Sequence, residues 1–268
     1  MSTLTTLNDA TATFSWDRIT LGSGLGVPVA IGGDLTPEVV LAAHQRGLFC
    51  IPRSRPADIA DNEMVYGPDV RAGDISLLPS ATNPYSVLWW SPQTRYVMPP
   101  EEVALGRGTR SKVRTSGWTT TVNLHFEGVL AGCRGDRQPR WITDPLIDCL
   151  HALHHEGWVK SIEVWDGEQL IGGLFGFALP EVFVMSSAFH IKPEAAKVAI
   201  ADLAHRVAPG AIRLLDAGVR TEYTVRLGAR GIPRDEYLQF LTPTSMQPGT
   251  LDEAAHEAHR LLRPRLTA

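Results

Sequence analysis

Apolar and polar positions change their rhythm several times along the chain. Thr36, Pro37 and Glu38 precede Val39, Val40, Ala43 and Leu48, whose spacing gives one apolar helical face, and Gly47 closes the run. Thr36 predicts the N-cap and Pro37 the first helical position. From Arg53 to Tyr85 the chain is crowded with Pro, Asp, Ser and Gly, which predicts a long surface loop or inserted hairpin. "GWTTTVNL" (117–124) predicts a strand, and "WITDPLIDCLHALHHEG" (141–157) a helix capped by Thr143 or Asp144. "KSIEVWDG", "EQLIGGLFGFAL" and "EVFVMSSAF" follow as consecutive strands separated by turn signals. "KPEAAKVAIADLAHRVA" (192–208) predicts an amphipathic helix, and "IRLLDAGV" (212–219) one more strand. Strands, a helix and a returning strand imply an α+β fold with a mixed sheet and one crossover.

Composition narrows the class. The 268 residues are 44% hydrophobic and 20% charged, with a net charge of −4, so the chain is globular and any nucleic-acid surface must be local. Cys50, Cys133 and Cys149 show no metal-ligand spacing, and an odd, sparse set implies reduced thiols. No apolar run is long enough to cross a bilayer, and the first residues lack the basic flank and apolar core of a secretory signal. The expectation is a cytoplasmic protein with no membrane partner.

Few local features carry chemistry. Asp216 ends an apolar strand and is followed by Ala217 and Gly218. A buried charge there costs free energy unless something compensates it. It serves either a structural role, as a cap or an ion pair with Arg220 or Arg226, or a catalytic one. Arg107, Arg110, Lys112 and Arg114, with Arg134, Arg137 and Arg140 further on, form the strongest charge asymmetry. They read as a solvated face or a phosphate-binding surface. Trp89, Trp90 and Trp141 suit core anchoring or stacking on an unpaired nucleotide. His151 and His155 are four apart, but no carboxylate lies between them and no third ligand is evident, so no metal is expected. "GSGLG" (22–26) reads as a turn rather than a phosphate loop.

Several stretches together resemble the leucyl/phenylalanyl-tRNA–protein transferase family: "GGDLTPEVVLAAHQRGLF", "LWWSP", "WIT" with the segment up to Leu179, and "KVAIADLAHR" followed by "LLDAGV". They keep the family's order and cover most of residues 30–240. The resemblance implies a small N-terminal domain (1–100, with an inserted loop 53–87) and a GNAT-like acetyltransferase-type domain (101–268). It implies transfer of an aminoacyl group from the 3′ end of a tRNA to an amine, with no diffusible cofactor. Trp141 falls where the family holds the terminal adenosine; the family's companion tryptophan is replaced by Ile51. Leu174 and Phe183 match positions of the amino-acid pocket, and Phe189, Trp90 and Gly218 are further substrate-binding candidates. Arg107, Arg110, Lys112 and Arg114 match basic residues for the acceptor stem.

Departures gather at the chemistry. "MSSAFH" (185–190) replaces the family's "GESMFS", so Ser186 stands for a glutamate and Ala188 for a methionine. Asp216 is retained, but Gly218 replaces the glutamine of a proton relay, and Tyr223 replaces a histidine. Asp216, Ser186 and His190 are therefore the expected catalytic set, with Gly218 and Ala188 enlarging one site. These changes point first to a small-molecule amine or hydroxyl as acceptor. The alternatives are the family's own transfer to protein N-termini and a non-catalytic tRNA-binding module; an acyl-CoA enzyme is disfavoured by the glycine-free "HIKPEAAK".

Overall fold

The computed structural model describes residues 16, 19, 26–136, 139–208, 211–241 and 247–263. The amino-terminal stretch, all of "GSGLG" but Gly26, and Arg137 lie outside them.

A four-stranded sheet comes first. It is built from β1 (Ala30–Gly32), β2 (Phe49–Pro52), β3 (Ser76–Leu78) and β4 (Val87–Trp90) in the order β2-β4-β1-β3, with α1 (Pro37–His44) and α2 (Pro56–Ala72) between its strands. The start of α1 follows from its sequence: Thr36 Oγ1 accepts from the Val39 N–H, Pro37 sits in the first turn, and Gly47 turns the chain at φ +75°. Residues 56–72, expected to be loop, form a helix. Pro56 opens it, Arg55 pairs with Asp58 beside its first turn, and Gly73 closes it in the left-handed region. Its interior holds Gly67 and Pro68, and Met64 and Val65 face solvent, so no apolar stripe announces it. Tyr66 and Val70 cover a small cluster of Ile31, Ile75 and Leu88.

The eight-stranded sheet takes the rest: β5 (Thr94–Met98), α3 (Arg107–Thr115), β6 (Thr119–Val122), α4 (Phe126–Arg134), α5 (Asp144–His155), β7 (Val159–Asp166), β8 (Gln169–Ala178), β9 (Val182–His190), α6 (Ala195–Arg206), β10 (Leu214–Asp216), α7 (Glu222–Arg226), β11 (Arg230–Pro233), α8 (Arg234–Gln239) and β12 (His256–Glu257). Its order is β11-β5-β10-β9-β8-β7-β6-β12. The strands pair antiparallel except β9 and β10, which run parallel with α6 as their crossover. The α+β class and the mixed sheet stand; the large sheet has one crossover, but the small sheet holds a second parallel pair, β1 with β3, so there is more than one. The large sheet begins at Thr94, earlier than residue 100.

Helices cover both faces of this sheet. Val129, Leu130, Leu146 and Leu150 of α4 and α5 pack with Phe175, Phe177 and Val184, and this core continues into Val40, Ala43 and Trp89 beside the small sheet. On the other face, Val198, Ala199 and Leu203 of α6 and Val113 of α3 pack with Ile162, Leu174 and Phe183. Burial on both faces explains the unbroken apolar run of β8. Asp202, Arg206 and Arg260 tie α6 to the C-terminal segment: Arg206 bonds Asp202 and donates to the Asp252 and Ala254 carbonyls.

Candidate active site

β10 carries the acid and β5 its partner. Asp216 and Arg95 are both buried. Arg95 Nε and Nη2 donate to Asp216 Oδ2 at 3.1 and 2.5 Å, and the Tyr237 hydroxyl donates to the same oxygen at 2.6 Å. The Gly218 N–H donates to Oδ1 at 2.7 Å. This answers the burial of Asp216, but with a partner from 121 residues away rather than Arg220 or Arg226; Arg226 pairs instead with Glu222. Burial works against the charge on Arg95, but Asp216 and Tyr237 outweigh it and raise the guanidinium above its ordinary value. Burial, then the Asp216 carboxylate, push the Tyr237 hydroxyl well up, so it stays a donor. The rings of Phe49 and Tyr237 lie 5.2 and 4.8 Å from the Arg95 guanidinium carbon.

Above this pair opens a cavity of about 180 Å³. Phe49 and Cys50 of the small sheet, His44 of α1, Leu146 and Leu150 of α5, and Phe175, Phe177 and Val184 of the large sheet give it apolar walls. Trp141 lies over Phe175 with ring centroids 6.5 Å apart. Arg95, Ser186, Ala217 and Gly218 complete the rim. Asp216 itself lies beneath the wall, where it fixes Arg95 and the turn to Gly218. A β-bulge brings Ser186 here: Phe175 pairs with Ser187 and Gly176 with Met185, so Ser186 is the extra residue. Gly176 lets the bulge close, since a Cβ there would collide with the Val184 carbonyl oxygen.

That bulge separates residues whose alternation along β9 placed them together. Ser187, Ala188 and His190 line a second cavity with Glu194, Lys197 and Tyr223. His190 therefore stands apart from Asp216 and Ser186, and Ala188 does not enlarge the site of Gly218. A third cavity shares Glu194, Lys197 and Tyr223 and reaches Gly106 and Thr109 at the start of α3. Leu174 and Phe183 face α6, not the first cavity. Phe189 packs on Gly132 of α4, and Trp90 sits against Tyr66 in the small sheet. Arg107, Arg110, Lys112 and Arg114 are exposed on α3; Lys112 Nζ lies 5.2 Å over the Trp118 ring.

Sequence reasoning missed Arg95, Tyr237, His44, Phe175 and Phe177. Arg95 is signalled by a lone cation leading the apolar strand residues of "RYVM". The cavity offers no thiolate, because burial pushes Cys50 up to about 12. His151 pairs with Glu127 and His154 bonds the Val159 carbonyl. Among the described residues no three His, Cys, Asp or Glu side chains cluster as metal ligands, and no helix is long and apolar enough to cross a membrane.

His44 stacks on Phe177 at 3.6 Å, and its Nδ1 lies 2.8 Å from the Val40 carbonyl, so Nδ1 carries the proton and Nε2 is an acceptor. Burial lowers its pKa to about 4 against an ordinary 6.5. The unfolded chain therefore binds a proton below pH 6.5 that the folded chain refuses until about pH 4. Over that window His44 is expected to remove about 3 kcal/mol of stability. Urea midpoints at pH 7 and pH 4.5 should fall less for His44→Phe than for the parent; equal slopes would refute this.

Comparison with known proteins gives one family. The family model described as leucyl/phenylalanyl-tRNA protein transferase matches residues 97–242. A leucyl/phenylalanyl-tRNA–protein transferase of Shewanella baltica (strain OS185) is 34% identical over 251 residues, 92% of this chain and 93% of its own. One from Anaeromyxobacter sp. (strain Fw109-5) is 35% identical over 217 residues, 80% of each chain.

Proposed function

The chain belongs to the leucyl/phenylalanyl-tRNA–protein transferase family, and from that premise we propose that it transfers leucine or phenylalanine from a tRNA 3′ end to the N-terminal amine of a protein. It is an aminoacyltransferase that uses aminoacyl-tRNA as donor. The observation that carries the finer reading is the first cavity: apolar and aromatic on most sides, it suits a leucyl or phenylalanyl side chain, with one buried cation at its wall. The residue changes at Ser186 and Gly218 put a small-molecule acceptor first. Relatives named for transfer to protein, a third identical across most of the chain, favour the protein amine instead.

In this reading the large sheet with its β9–α6–β10 crossover is the GNAT-like acyltransferase unit, and the small sheet closes one side of the acyl pocket. Trp141 contacts the terminal adenosine. The free cations of α3 hold acceptor-stem phosphates; among the described residues none of Arg107, Arg110 and Arg114 has an ion-pair partner. Ser186 and His44 are cavity side chains that can accept a hydrogen bond from the attacking amine, in place of a relay at Gly218; His44, neutral down to about pH 4, orients the amine and does not keep its proton. An acyl-CoA donor is disfavoured because the Glu194 carboxylate, held by Thr109 and Lys197 beside the start of α6, would repel a pyrophosphate seated there.

The test is transfer of labelled amino acid from Leu-tRNA, Phe-tRNA, Val-tRNA and Asp-tRNA to a peptide, to the same peptide N-acetylated, and to a panel of small amines. Label is expected only in the free peptide and only from Leu- and Phe-tRNA. Labelled small amines with an unlabelled peptide would overturn the acceptor assignment.

A further inference from the structure

One nitrogen of the Arg95 guanidinium has no contact to make. Nε and Nη2 are turned to Asp216, whereas Nη1 is buried and has no hydrogen-bond partner. A buried donor without an acceptor is costly, and a cationic one more so. The same side chain is 2% exposed and forms part of the wall of the first cavity. Its guanidinium plane is fixed by two rings and by a buried carboxylate, so nothing need reorganise when an acceptor arrives.

We infer that Arg95 is a catalytic residue whose Nη1–H donates to the carbonyl oxygen of the aminoacyl ester and holds the negative charge that develops there. The inference rests on the transferase reading above. The amine nitrogen attacks the carbonyl carbon, forming the C–N bond, and the carbonyl π pair moves onto the oxygen facing Nη1. When that pair returns, the bond to the ribose oxygen breaks. The ribose oxygen keeps the electron pair and gains a proton, the nitrogen loses one, and the products are an amide and the free 3′ hydroxyl. Arg95 gives up no proton; Asp216 keeps it charged and aimed. A phosphate oxygen is the other acceptor such a donor suits, but the apolar walls around it suit an acyl group better.

Two ligands separate these occupants: 3′-amino-3′-deoxyadenosine acylated with phenylalanine, which mimics the ester, and its phosphonamidate, which mimics the tetrahedral intermediate. The parent protein is expected to bind the phosphonamidate at least a hundredfold more tightly; equal affinities would overturn the inference without needing a variant. Arg95→Lys should lower kcat roughly a hundred- to a thousandfold, weaken phosphonamidate binding comparably, and leave KM for Phe-tRNA and amide-analogue binding within about threefold. Should that variant fold poorly, Arg95→Gln with Asp216→Asn removes both buried charges together and should show the same split. Unchanged kcat in a folded variant, or equal weakening of both analogues, would sink the oxyanion role. A parent protein that turns over no aminoacyl-tRNA would instead bring down the transferase reading.

Discussion

Asp216→Ala is expected to cost about 3–5 kcal/mol of folding stability. The acid is buried behind the cavity wall; it balances Arg95 and accepts from Tyr237 and the Gly218 N–H. Truncation leaves a guanidinium that cannot deprotonate, a tyrosine hydroxyl without its acceptor, and a turn released at the cavity rim. The first two are buried donors losing their partner, and such losses dominate large mutational effects. Urea unfolding followed by tryptophan fluorescence should show the midpoint falling steeply, with Asp216→Asn intermediate because an amide oxygen still accepts. Activity of Asp216→Ala has meaning only per folded molecule; even so corrected, it should be far below the parent, since Arg95 is no longer aimed. A midpoint unchanged from the parent would show that the pair contributes nothing net.

Replacing Arg107, Arg110 and Arg114 together by glutamine should have the opposite character: little effect on stability and a large one on tRNA. All three project from α3 into solvent, while Thr109 and Val113 anchor that helix. Lys112 is best left in place, since it packs over Trp118. If the three cations neutralise phosphates, the slope of log affinity against log salt should shrink by about 2, and binding at 0.1 M salt should weaken on the order of a hundredfold, converging with the parent as salt rises. Filter binding of Phe-tRNA across a salt series measures both. An unaltered slope would return α3 to the solvated-face reading.

What could be read from the chain was whatever local signals fix. Thr36 and Pro37 announce α1, Thr143 begins α5, and the turn signals between β7, β8 and β9 mark real turns. The α6 crossover follows from the order of elements. Helix α2 was illegible because its start and stop residues, with Gly67 and Pro68 between, are also turn formers, and its buried side is too narrow to show a stripe. The resemblance points to Leu174 and Phe183 as pocket residues, whereas the first cavity is lined by their neighbours Phe175, Phe177 and Val184. When both faces of a strand are buried, apolar residues occupy every position and alternation cannot say which parity faces a ligand. The same alternation puts Ser186 and His190 on one side, and the bulge at Ser186 interrupts it. Arg95 and Tyr237 meet Asp216 only through the pairing of β5 with β10 and the seat of α8, and no local pattern encodes such a meeting.

The distance between Arg95 and Asp216 along the chain also sets when the site can exist during synthesis. β5 leaves the ribosome early, but both its neighbours in the sheet, β10 and β11, lie beyond residue 213. At roughly 5–20 residues per second, the 121 residues between cation and carboxylate take on the order of ten seconds to make. Throughout that interval Arg95 must remain in water, since burying it alone would be prohibitive. The strand bearing the oxyanion donor is thus barred from the sheet until its counter-charge has been translated, and a nascent chain truncated before Asp216 should be open to protease at β5 while β7, β8 and β9 are already protected.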